Sequence, residues 1–379
     1  MKAFLILEDG TVFEGKHIGA DKDVVSEIVF NTSMAGYTEV FTDPSYAGQA
    51  VCMTYPLIGN YGVCLDDMES DRPWVDAVIV RELSHVPSNF RCDMSIQAFL
   101  EKYEVPGIEG IDTRKLVRIL REKGTMNGYI TTNESIRYED VKEKLLAYTT
   151  GDVVSRVSCK EKIHIPAPDA RQEKIPAIAK NKNGEGLKIA LLDVGAKKNI
   201  AQSLAVRGCD VTIYPFDTCA EEILGDKPDG IMLSNGPGDP KECKGVIKEI
   251  KKLYDSEVPI FAICLGHQLM ALATGADTYK MKYGHRGGNH PVKDLETGRV
   301  YISSQNHGYV VDVDKLDKNL ATPAFANVND GSNEGLKYVG KDIFTVQFHP
   351  EACPGPQDSS FLFDRFIDMI RNKTTGGAN

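Results

Sequence analysis

The sequence predicts a two-part α/β chain: a C-terminal domain with a mainly parallel sheet covered by helices, preceded by an N-terminal mixed α/β domain. Three observations predict it. From residue 187 onward, continuous apolar runs alternate with amphipathic segments, the pattern of strands buried on both faces. The opening residues instead show the two-residue alternation of a β-hairpin. A break in composition between about Cys159 and Gly186 separates the halves. The boundaries read as an N-terminal domain over 1–150, a linker over 151–186 and a C-terminal domain over 187–379.

In order along the chain, Ala3 to Leu7 alternate, Asp9-Gly10 makes a turn, and Thr11-Val12-Phe13 returns. Ile28-Val29-Phe30 and Ala50 to Thr54 read as further strands. Asp112 caps a helix with Leu116, Ile119 and Leu120 on its apolar side. The linker is read from Ile163-His164-Ile165-Pro166-Ala167-Pro168 and a polar Lys/Asn/Gly/Glu run. Beyond it come strands at Ile189–Leu192, Val211–Tyr214, Ile231–Leu233 and Pro259–Ile263. Helices are predicted over about 198–206, 244–254 and 267–273. Ligands of such sheets bind at the carboxyl ends of the strands.

The 379 residues are 42% hydrophobic and 26% charged, ordinary globular composition, with a formal net charge of −10. No Lys/Arg block offers a basic face, so nucleic acid is not an expected partner. No signal-peptide pattern opens the chain, and no apolar run nears the roughly 18 residues of a membrane helix. A soluble, cytoplasmic protein without a membrane partner is expected. The nine Cys show no paired CxxC spacing. His285, His290, His307, His349 and Cys353 match no standard ligand spacing, so no metal is expected on this chain. The run Gly284–His290 reads as a flexible loop.

Four segments carry candidate chemistry. Ile263-Cys264-Leu265-Gly266 sets a Cys between a strand and a helix, where a sharp turn exposes it and the helix N-terminus favours a thiolate. Taken alone, Cys264 fits better as the last core residue of a strand. A Cys nucleophile needs a base and a group to orient it. Gln347-Phe348-His349-Pro350-Glu351 ends another apolar run with His349 and Glu351 on one face of an extended segment. Ser234-Asn235-Gly236-Pro237-Gly238-Asp239-Pro240 makes a rigid turn that is not a P-loop. Ser304-Gln305-Asn306-His307-Gly308-Tyr309 is a dense polar cluster, open to readings as a substrate contact or a hairpin bend.

Cys-Leu-Gly-His-Gln, His-Pro-Glu and Asn-Gly-Pro-Gly-Asp-Pro together resemble the class I (triad) glutamine amidotransferases, over roughly 187–372. The N-terminal half carries Asn31-Thr32-Ser33-Met34-Ala35-Gly36-Tyr37-Thr38-Glu39, Asp43-Pro44-Ser45-Tyr46 and Gly110-Ile111-Asp112-Thr113-Arg114. Those segments resemble the carbamoyl-phosphate synthetase small subunit. The resemblance implies Cys264 as nucleophile, His349 as base and acid, and Glu351 as its orienting group. It implies an oxyanion hole from the N–H groups of Gly236 and Leu265. Glutamine would be held by Ser45, Gly236, Gly238, Leu265, Gln268, Asn306, Gly308 and Tyr309, with His307 as a helper. It further implies L-glutamine as substrate, a γ-glutamyl thioester, and ammonia delivered to a large partner subunit. No cofactor is implied on this chain; ATP and Mg belong to the partner. The alternative is the glutaminase of a chorismate- or nucleotide-aminating enzyme. A cysteine peptidase suits Gln268 and Asn306 less well, and a non-catalytic docking protein would require loss of the triad.

Overall fold

A computed structural model describes residues 1–167, 186–352 and 354–374. The chain forms two compact units. The first comprises Met1–Val153 with Lys282–Gly288, and the second begins at Val154 and holds the rest.

In the first unit the strands are β1 (Lys2–Leu7), β2 (Val12–Gly19), β3 (Val24–Asn31), β4 (Gln49–Met53), β5 (Leu57–Ile58), β6 (Ala77–Val80), β7 (Glu82–Leu83), β8 (Pro106–Glu109) and β9 (Met126–Thr131). Seven of them close a barrel in the order β1-β2-β8-β6-β4-β3-β9, while β5 and β7 pair apart. The predicted hairpin is β1–β2, with Gly10 at φ 84°, a value its missing Cβ allows. Alternate side chains serve two cores. Leu5, Ile28, Ala50 and Ile79 pack with Leu116 and Leu120 of the helix Thr113–Lys123. Val29, Val51 and Val78 pack with Ile96, Phe99 and Leu100 of the helix Ile96–Lys102. Asp112 accepts from Lys115 N at 2.9 Å, the predicted helix cap.

The second unit carries β10 (Ile163–Ile165), β11 (Lys188–Asp193), β12 (Asp210–Pro215), β13 (Gly230–Leu233), β14 (Ile260–Ile263), β15 (Asp277–Asp294, apart from Lys282–Gly288), β16 (Val300–Asp312), β17 (Ala321–Asn327), β18 (Asn333–Tyr338) and β19 (Ile343–Val346). They form one sheet in the order β10-β12-β11-β13-β14-β19-β18-β17-β15-β16. From β12 to β19 the pairs are parallel; β10, β18 and β17 pair antiparallel. Each face of the parallel part is covered. Leu192, Leu233 and Ala262 pack on Val246, Ile250 and Leu253 of the helix Lys244–Asp255. Leu191, Met232 and Phe261 pack on Ile200 and Leu204 of the helix Lys198–Ala205, and on Phe363, Phe366 and Ile370 of the helix Phe361–Thr374. Each such Leu, Ile, Val, Met or Phe side chain contributes about 1.5–3 kcal/mol of burial, so the strand ends rest on a firm platform.

Two expectations change. The run Gly284–His290, read as a flexible loop, lies within β15, and Thr125 N and Thr32 N donate to Lys282 O and Arg286 O at 2.9 and 3.3 Å. Glycines in a strand permit close backbone approach as readily as a turn. Within the stretch read as linker, Val154–Val157 is helical and Ile163–Ile165 pairs antiparallel with β12; residues 168–185 lie outside the described residues.

Candidate active site

β14 delivers Cys264 to the sheet rim. Its N–H donates to Val346 O at 2.8 Å, continuing the β14–β19 ladder, and the helix Leu265–Ala273 starts at the next residue. Cys264 therefore sits at φ 52°, ψ −104°, a conformation costly for any residue with a Cβ. The strain is held in place by packing. A Cβ on Gly266 would lie 2.6 Å from Leu233 O, so only glycine lets the helix start press against the end of β13. Gly266 N–H donates to Ser234 O at 3.0 Å and Gln268 N–H to Cys264 O at 3.1 Å. Leu265 N–H, at the first helical position, has no intrahelical acceptor and lies at the positive end of the helix.

Beyond β19 the expected extended segment is instead a bend at Gln347-Phe348, a single bridge in which His349 N–H donates to Ser304 O at 2.9 Å, and a turn closed by Ala352 N–H to His349 O at 3.2 Å. His349 Nδ1 donates to Glu351 Oε1 at 2.6 Å, with both side chains buried. That bond assigns the tautomer and turns Nε2 outward. Nε2 has no formed hydrogen bond, and Cys264 and His349 lie just past the ends of the neighbouring strands β14 and β19. The thiol itself points at Asn306 O, 3.7 Å away. His349 and Glu351 are thus paired at the rim of the sheet that also carries Cys264.

A fourth group was not predicted. Lys197 Nζ lies 2.7 Å from the same Glu351 Oε1, with side-chain exposures of 2% and 0%. The loop that carries it is stitched by Asp193, whose Oδ1 accepts from Gly195 N and Ala196 N, and by Asn235 Oδ1, which accepts Lys197 N–H at 3.0 Å. Burial pushes the Glu351 carboxyl up, but Lys197 and then His349 outweigh it and hold the carboxyl far below the usual range. Burial and Lys197 both push His349 down; Glu351 and Cys264 outweigh them, leaving the imidazole raised to about 9. His267, inside the same motif, takes no part: burial pushes it down to about 3, and its Nδ1 faces Thr345 Oγ1 at 2.7 Å.

The turn after β13 adjoins these groups. A Cβ on Gly236 would meet Val194 O at 2.0 Å and Leu265 Cδ2 at 2.9 Å, which places the Gly236 backbone against the helix start. Gly238 adopts φ 89°. The polar cluster of Asn306, His307, Gly308 and Tyr309 lies within β16 rather than at a hairpin bend. Gln268 Nε2 donates to Tyr309 O at 2.8 Å, and His307 Nδ1 faces the same oxygen at 2.8 Å. All of these belong to the second unit. Ser45 belongs to the first, in the short turn Pro44–Tyr46 where Asp43 Oδ1 accepts its N–H.

Comparison with known proteins matches this division. Residues 190–369 match the class-I glutamine amidotransferase family, and residues 5–130 the CPSase domain of the carbamoyl-phosphate synthase small chain. The chain is 52% identical to the carbamoyl phosphate synthase small chain of Clostridium perfringens, over 97% of this chain and 99% of that one. The chain belongs to the carbamoyl-phosphate synthase small-chain family. It is 47% identical to the small chain of Oceanobacillus iheyensis, over 98% and 96% of the two chains. It is 45% identical to a pyrimidine-specific small chain of Halalkalibacterium halodurans, over 98% of each. As a member of this family it is a glutamine-hydrolysing amidotransferase subunit. No described helix is long and apolar enough to cross a membrane.

Lys197 escaped the sequence reading because it is one of two adjacent lysines, and nothing local tells the buried one from Lys198. The available signal was its place just past the end of β11, the same rim that carries Cys264 and His349.

Proposed function

We propose that Cys264 hydrolyses L-glutamine through a γ-glutamyl thioester and that the ammonia passes to an ATP-dependent large subunit. The observation that carries this reading is the arrangement at His349: Nδ1 bound to a buried carboxylate, and Nε2 without a hydrogen bond at the rim that carries Cys264 on a strained turn. Cys264 gives its proton to His349 Nε2 as sulfur attacks the side-chain amide carbon. Negative charge develops on the amide oxygen, and the N–H groups of Gly236 and Leu265 receive it. The C–N bond breaks as His349 returns the proton to the departing nitrogen, releasing ammonia. Water, deprotonated by His349, then attacks the thioester; glutamate leaves and the thiol is restored. Glu351 holds the imidazole in register and balances its charge during both halves.

In this reading Ser45, Gly238, Gln268, Asn306, Gly308 and Tyr309 hold the glutamine, with His307 bracing them. The domain over 187–379 would supply the chemistry, and Ser45 lies in the N-terminal domain, 1–150. ATP and Mg belong to the large subunit, which makes carbamoyl phosphate from bicarbonate, and this chain holds no cofactor of its own. The complex works in the cytoplasm.

The test is glutamine hydrolysis by wild type and Cys264→Ser, each with and without a large subunit. Wild type is weakly active alone and strongly stimulated by the partner, and the variant is inactive in both. Full hydrolysis by Cys264→Ser would overturn the proposal.

A further inference from the structure

Behind the catalytic groups lies a closed ring of buried polar groups, among them Glu334, Gln305 and Gln347, for which the mechanism above has no use. Glu334, fully buried on β18, accepts at Oε1 from Gln305 Nε2 at 2.9 Å and from Asn327 Nδ2 at 2.9 Å. Because its amide nitrogen faces that carboxylate, Gln305 turns its oxygen to His307 Nε2, at 2.8 Å. His307 Nδ1 faces Tyr309 O, and Gln268 Nε2 donates to the same carbonyl. The second Gln268 amide hydrogen goes to Gln347 Oε1 at 2.9 Å. Gln347 N–H donates to Glu334 O at 2.9 Å, which closes the ring.

The ring settles which end of Gln268 is free. An amide nitrogen has two hydrogens to give, and both are spent on Tyr309 O and Gln347 Oε1. The Gln268 oxygen has no partner among the described residues and keeps an edge open to solvent. Gln347 is retained at a cost: it is fully buried, and its own Nε2 has no hydrogen-bond partner. A side chain chosen for stability alone would be apolar there.

We propose that Gln347 and Glu334 are positioning residues which lock the Gln268 amide with its oxygen toward the substrate. An oxygen so fixed accepts from an ammonium or amide N–H of glutamine and repels its carboxylate. The inference rests on the assignment of Gln268 to the glutamine site made above. Gln347 clamps the amide directly. Glu334 acts at the far side of the ring, through Gln305, His307 and the Tyr309 carbonyl.

The experiment is steady-state glutamine hydrolysis by the full chain with its large subunit. It compares wild type, Gln347→Met, Glu334→Ala and the double variant, each with its melting temperature and its rate of Cys264 alkylation by iodoacetamide. Gln347→Met keeps the volume and removes the acceptor. The expected result is a KM raised about tenfold, the worth of one buried hydrogen bond, with kcat within about twofold and the alkylation rate unchanged. Its melting temperature should stay near wild type, since the substitution also removes the unpartnered Gln347 nitrogen. Glu334→Ala raises KM in the same direction, and the double variant costs less than the product of the two, because both act on one amide. An unchanged KM in Gln347→Met, a parallel fall in kcat and alkylation, or independent effects in the double variant would overturn the proposal. Cys264→Ser, measured alongside, tests the underlying reading separately: if it turns over glutamine, the catalytic assignment fails whatever Gln347 does.

Discussion

Replacing Lys197 with Met should move the acid limb of the glutaminase pH profile to higher pH and lower the rate at neutral pH. The side chain is 2% exposed and its Nζ lies 2.7 Å from Glu351 Oε1, which lies 2.6 Å from His349 Nδ1. The ammonium is therefore within about 5 Å of the imidazole, where a unit charge at an effective dielectric of about 20 is worth roughly 3 kcal/mol. Lys197 disfavours the protonated ring. Without it the proton on His349 is held more tightly, by up to about two pH units. The limb shifts alkaline because kcat/KM needs the ring free to take the thiol proton. Removing one partner of a buried pair also costs about 3–5 kcal/mol of stability, so the profile is read below the melting transition. The assay is kcat/KM for glutamine across the acid limb, with the large subunit present. A wild-type profile in Lys197→Met, in protein shown to be folded, would refute the electrostatic role.

Three further outcomes follow from the geometry. Gly236→Ala forces a Cβ to within 2.0 Å of Val194 O; the turn must move, costing about 1–3 kcal/mol in a denaturant melt and at least tenfold in kcat if its N–H serves the oxyanion. Gly266→Ala, blocked at 2.6 Å by Leu233 O, should destabilise by a similar amount and slow alkylation of Cys264, since the helix start must back away from β13. His349 is raised from 6.5 to about 9 in the folded chain, so its contribution to stability is complete below about pH 6.5 and is lost as pH rises through about 9. Thermal melts should show wild type losing stability over that window relative to His349→Asn. Equal slopes would remove the ion pair from the account.

Much of the second unit was legible because each local signal agreed with the fold. Ile189–Leu192, Ile231–Leu233 and Ile260–Ile263 are apolar at consecutive positions, and the structure buries them between two helical layers. His349 and Glu351 were readable as a pair from their spacing, though a turn over Pro350 rather than strand alternation brings them together. The antiparallel part was not legible. β15 runs through Gly284, Gly287 and Gly288, residues that mark turns as often as strands. β16 carries Ser303 to His307, polar side chains that are buried because other buried polar groups satisfy them. Such a network leaves no hydrophobic period to read. The barrel of the first unit was hidden for another reason: β3, β4, β6 and β8 pair in parallel across long connections, so closure depends on distant partners.

The most direct test is to stop the reaction with acid during glutamine turnover and look for the acyl group on the peptide that contains Cys264 by mass spectrometry. A γ-glutamyl adduct should appear on that cysteine in wild type, accumulate in His349→Asn if deacylation is the slower step there, and be absent from Cys264→Ser. Rapid glutamine hydrolysis with no adduct on Cys264, or an adduct on another residue, would contradict the account.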